Sequence, residues 1–148
     1  MTAPREDGPR LHRPGRRRRS LTDREIAILD GSRGPELPIV TGAGEARAII
    51  WPGMGARSRS LHRLWLAEGA GTVELSHPSD AVYYVLDGTG WVDDSDADKH
   101  HHVAAGAMFH VDAGTRYVIH AGEAGMQVIG GPAPADDALY EHLTDTAG

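Results

Sequence analysis

Cysteine is absent from all 148 residues, which excludes disulfides and thiolate metal sites. Aromatics are scarce, with a single phenylalanine, and no apolar run approaches the length of a bilayer-crossing helix. The first residues lack the apolar stretch of a secretory signal, so a cytoplasmic location is expected, with no membrane partner. No P-loop and no G-x-S-x-G nucleophile elbow is present. Gly42-Ala43-Gly44 lacks the third glycine and the helix of a dinucleotide fingerprint.

What is present is unevenly charged. Residues 1–20 carry seven Arg against Glu6 and Asp7, a net of +5, whereas the other 128 residues carry a net of −11. The first 20 residues also hold Pro4, Pro9 and Pro14 and almost no aliphatic side chains. Such a segment buries too little surface to offset its ordering entropy, so 1–20 reads as a disordered Arg-rich tail. No aromatics interleave with its arginines and no helical DNA-binding pattern follows, so a nucleic-acid function has no support. Residues 21–148 read as one domain, long enough to bury a core.

Within that domain a short helix is expected over 21–30, with Thr22 or Asp23 as its cap. From Ile39 the chain turns to short strands separated by glycine-rich turns. Candidate strands run over 46–51, 60–67, 72–76, 81–86, 90–93, 100–104, 107–111, 116–120 and 126–130. Asp87-Gly88 reads as a hairpin turn between two of them, and 135–143 as a final short helix. Many short strands indicate an all-β sandwich or small barrel.

Two glycine-framed segments narrow this further. Residues 69–88 read Gly69-x5-Leu75-x-His77-x3-Ala81-x6-Gly88, and 106–121 read Gly106-x5-Asp112-x-Gly114-x2-Tyr117-x3-Ala121. The pair resembles the cupin motifs G-x5-H-x-H-x3-E-x6-G and G-x5-P-x-G-x2-H-x3-N, and the likeness covers about residues 61–131. The resemblance implies a double-stranded jelly-roll β-barrel with short terminal helices, and a homodimer; Ile49, Ile50 and Trp51 read as its interface strand or equally as plain core. It also implies that His77 stands at a ligand position, while Leu75, Ala81 and Tyr117 replace the other three ligands.

A first-row metal needs three or four N/O donors converging on one point. Leu75 and Ala81 have none, and Tyr117 would have to ionise, so no resident cofactor is expected. The reading is a degenerate cupin site that binds a small organic molecule, with metal-free acid/base chemistry open to it. His77 and Tyr117 are its candidate catalytic pair. Trp65, Leu75, Asp80, Ala81, Tyr83, Met108 and His110 are candidate pocket residues. The alternative is a metal-dependent oxygenase, isomerase or lyase in which His77 joins His62 or His110 around Fe, Zn, Mn or Ni. Alternation along the strand carrying Tyr117 puts Ile119 on its side and His120 on the other. His100, His101 and His102 read as an exposed hairpin end, with His101 facing away from the other two.

Overall fold

The computed structural model describes residues 25–143, so the Arg-rich tail of the sequence reading lies outside the described residues. Nine strands lie among the described residues: β1 (Glu36–Leu37), β2 (Val40–Thr41), β3 (Gly44–Ile50), β4 (Leu61–Leu66), β5 (Gly71–Thr72), β6 (Ala81–Asp94), β7 (Lys99–Ala104), β8 (Met108–Val111) and β9 (Tyr117–Pro132). All pairings are antiparallel. The jelly-roll expectation holds.

Two long strands make the barrel. The first half of β6 pairs with β8 and with the second half of β9, and β9 continues the sheet to β4, β3 and β1. The second half of β6 pairs with β7 and with the first half of β9, which leads on to β5 and β2. β6 and β9 thus cross together from one sheet to the other. Register shifts lie between Val85 and Asp87 and between Gly88 and Gly90. Such bulges bend a strand without ending it.

This overturns the hairpin expected at Asp87-Gly88. Gly88 does adopt the left-handed conformation, φ 85°, but it spends it on a bulge opposite Met126. A Cβ at Gly88 would run into the carbonyl oxygen of Gly125. The expected strands over 116–120 and 126–130 are likewise one strand.

Alternation sorts side chains between the two faces. His62, Leu64 and Leu66 of β4, Ala81, Tyr83, Val85 and Val92 of β6, and Tyr117, Ile119 and Val128 of β9 are buried inside. Burying a valine or leucine of this set contributes roughly 1.5–3 kcal/mol. Residues 25–30 are not helical, contrary to expectation, and Ile26 and Ile28 are 85% and 87% exposed. A short helix cannot offset its nucleation cost unless an apolar stripe finds a surface, and here neither isoleucine does. The C-terminal expectation fares better: a 3-10 turn spans Asp137–Tyr140, and the next three residues are helical.

Gly88→Ala is predicted to cost about 2 kcal/mol in urea denaturation, because alanine must hold a positive φ against a backbone carbonyl. A loss under about 0.5 kcal/mol would show that the crossing point relaxes freely.

Candidate functional site

The interior is organised around one line of hydrogen bonds. Asp136 sits at the N-cap of the C-terminal turn, where Oδ1 accepts from the Ala138 N–H at 3.1 Å. Its Oδ2 lies 2.8 Å from His77 Nδ1. A carboxylate only accepts, so Nδ1 carries the hydrogen between them. In the neutral ring Nε2 then accepts from the Tyr117 hydroxyl at 2.7 Å, and the Tyr83 hydroxyl lies a further 2.7 Å away, on Tyr117. The order is Asp136, His77, Tyr117, Tyr83. Burial pushes the Tyr83 phenol up to about 12. It raises Tyr117 still further, with Tyr83 beside it adding to the effect. Both phenols therefore stay protonated.

A second buried pair lies alongside. His62 Nε2 is 2.6 Å from the Tyr140 hydroxyl, and the two rings meet edge to face. Both buried imidazoles are thus capped by the same C-terminal segment. That segment is further tied by Ala133 N–H to Asp80 O and by Ala135 N–H to Arg57 O.

These residues do not fit the metal that the cupin resemblance brings with it. Leu75 and Ala81 offer no donor atom, both nitrogens of His77 are engaged, and Tyr117 is held as the phenol. His110 cannot join His77, because it lies on the opposite face of β8. A different His/Asp group does have metal-ligand spacing. Asp80, His110 and Asp112 are exposed, with one ligand atom of each lying within 4.8 Å of the others.

The open space lies on the other side of Tyr117. A cavity of about 430 Å³ has Tyr117 at its floor and Val92, Val103, Phe109 and Val111 among its walls, with Asp94, His101 and Thr115 as polar lining. Phe109 stacks on Tyr83 at 5.1 Å, which carries the wall back to the hydrogen-bonded line.

Of the expected site residues, His77 and Tyr117 are brought into contact, with Leu75, Ala81 and Tyr83 buried around them. Trp65 is not in this group. Alternation along β4 puts His62 and Leu64 inside, so Trp65 faces outward under the Arg63 guanidinium, 4.8 Å from its centre. Asp80 is also outside, where its carboxylate accepts from the Ala113 N–H. Met108 and His110 border the cavity because β8 is its wall, but Phe109 and Val111 are the β8 residues on the inner side. Asp136 and Tyr140 were missed by the sequence reading, as were Asp94 and Phe109. Alternation along 107–111 carried a signal for Phe109; the facing of Asp94 depends on the bulges in β6, and nothing local marked Asp136 as the partner of His77.

No family model matches the chain, and no curated protein matches it. Solved structures do. It is similar to an RmlC-like cupin from Shewanella frigidimarina at 19% identity and a TM-score of 0.58, over 75% of this chain and 93% of that one. A cupin-like protein from Thermotoga maritima matches at 18% and 0.59, over 66% of this chain and 75% of that one. Ectoine synthase from P. lautus matches at 16% and 0.58, over 71% and 74%. The chain has the cupin fold.

One pH dependence follows from the buried pair. Burial, with His77 nearby, pulls the His62 pKa from its ordinary 6.5 down to about 4. The unfolded chain then binds a proton that the folded chain refuses, so stability is present above pH 6.5 and is lost as pH falls toward 4. The loss is on the order of 3 kcal/mol by the bottom of that window. Urea midpoints taken across it should fall more steeply for the wild type than for His62→Gln. Parallel falls would remove His62 as the cause.

Proposed function

We propose that this chain binds a small organic molecule in the cavity above Tyr117, without a metal in the barrel. The observation that carries the reading is the division of the interior. On one side of Tyr117 every donor and acceptor of the Asp136–His77–Tyr117–Tyr83 line is matched. On the other side lies about 430 Å³ of space where Val92, Val103, Phe109 and Val111 stand beside Asp94, Asp112, Thr115 and three histidines. Apolar wall next to polar groups that can orient a ligand supports a small-molecule site. Any proton transfer to a ligand would run through Tyr117, the member of the line that borders the cavity. Ectoine synthase and a polyketide cyclase are among the structures of similar fold. They are compatible with chemistry in such a barrel, while the closed line of hydrogen bonds favours binding.

The metal-dependent alternative keeps one observation in its favour, the Asp80, His110 and Asp112 group. Elemental analysis of untagged protein separates the two readings. Stoichiometric iron, zinc, manganese or nickel that disappears in His110→Gln would support the alternative. For the cavity itself, a neutral aromatic probe such as 2-naphthol should bind saturably, followed by its own fluorescence. Val103→Trp, which fills the space from β7, should weaken it by about tenfold or more. Unchanged binding in that variant would place the probe elsewhere.

The same reading includes a cytoplasmic homodimer. Val82, Tyr84, Leu86 and Met108 form an exposed apolar stripe across the outer face of β6 and β8, which supports self-association there. Trp51, offered with Ile49 and Ile50 as interface strand or plain core, packs on Tyr140 of its own chain at 5.3 Å and stays half-buried. Sedimentation velocity should show a dimer that Tyr84→Glu with Met108→Glu converts to monomer. A wild-type monomer at tens of micromolar would refute self-association.

A further inference from the structure

We infer that the cavity selects a cationic ligand, an apolar or aromatic body carrying a protonated amine, with Asp94 as the group that receives the amine. This deepens the binding reading above and rests on it.

The register puts the acid in place. Asp94 of β6 lies directly across from Tyr117 of β9, and the next inward pair along the two strands is Val92 with Ile119. Val92 and Ile119 are buried inside, so Asp94 and Tyr117 share that face, and Asp94 lines the cavity beside its floor. His101, across from Val92 on β7, borders the same space and can meet either a donor or an acceptor. Among the described residues the lining contains no Lys or Arg, and its carboxylates are Asp94 and Asp112, beside His101, His102 and His110.

Neighbouring acids are already matched. Asp93, on the outer face, holds His100 at 2.6 Å and His120 at 3.0 Å, and Asp96 holds Arg116 at 2.7 Å. Among the described residues Asp94 pairs with no cation. It accepts a hydrogen bond from the Ala97 N–H to Oδ1 at 2.9 Å, and its side chain borders the cavity. Lys99 lies across from Asp94 in register, yet it is exposed and closes no ion pair with it. A half-buried carboxylate against valine and phenylalanine forms a stronger, charge-assisted bond to an ammonium than to a hydroxyl, and it repels a ligand carboxylate. Phe109 supplies aromatic surface for the ligand body.

Three probes of one shape test this: 2-phenylethylamine, 2-phenylethanol and 3-phenylpropanoate, titrated by NMR into the full chain. The amine should bind about tenfold more tightly than the alcohol, with the carboxylate weakest. Added salt should weaken the amine most. Asp94→Asn keeps an acceptor for the Ala97 N–H, so the turn is retained. It should bring the amine to the level of the alcohol while leaving the alcohol unchanged. The inference is overturned if the carboxylate or alcohol binds as tightly as the amine, or if the amine preference survives Asp94→Asn. Amine binding that persists in Val103→Trp while the alcohol is lost would put the amine outside the cavity and also overturn it. No binding by any of the three, with Phe109 and Val111 resonances unmoved, would bring down the cavity reading itself.

Discussion

The contact between Asp136 and His77 governs how the inside of this barrel is used. A buried imidazole must have both nitrogens matched, and a buried carboxylate must be capped or paired, or each costs several kcal/mol. Here one short segment resolves both demands. The Asp136 carboxylate caps its own turn and orients the ring, the ring then accepts a hydrogen bond from the Tyr117 hydroxyl, and Tyr117 accepts one from Tyr83. Because the line is complete, nothing in it is left over for an ion. Tyr140, four residues further on, does the same service for His62. The C-terminal turn is therefore part of the barrel's interior, although it lies outside the two motif segments.

A second constraint is the shared course of β6 and β9. Both cross from one sheet to the other, bent at a bulge that Gly88 makes sterically possible. Had the chain turned back at Asp87-Gly88, Trp91 to Asp94 would run in the opposite direction, away from Tyr117. Continuing through the bulge carries Val92 and Asp94 to the inner face, where they build the cavity wall beside Tyr117. The same continuation leaves Trp91, His100 and His120 on the outer face, stacked and tied to Asp93. A one-residue slip in the register of β6 would exchange its two sets, turning Trp91 and Asp93 inward and Asp94 out to solvent.

The likeness to metal-binding cupins is thus a likeness of frame. The spacing of Gly69, Gly88, Gly106 and Gly114 persists because backbone turns need it. The donor atoms have been exchanged for Leu75, Ala81 and Tyr117, which fill the centre with carbon and a neutral phenol. The usable space then lies toward β7 and β8, on the far side of Tyr117 from His77. Fold alone does not assign chemistry. A ligand is supported here by the difference between the groups that are satisfied and those that are not.

Much of this was legible before the fold was known. The strand pattern was enough for an all-β sandwich or barrel, the resemblance of the glycine frames to the cupin motifs implied the jelly roll and set Tyr117 facing His77, and alternation put Ile119 inside with His120 outside. Loss of three of four donors was plain from residue type. What the chain could not reveal locally is which distant groups come back to meet these residues. Asp136 lies 59 positions from His77, and Tyr140 lies 78 from His62. The inward facing of His62 and Asp94, and the outward facing of Trp65 and His110, depend likewise on where bulges set the register. Periodicity reports which residues share a face. Only the closed barrel decides which face is inside and what returns to fill it, because hydrogen-bond partners and cavities are made by chain segments that sequence spacing does not bring together.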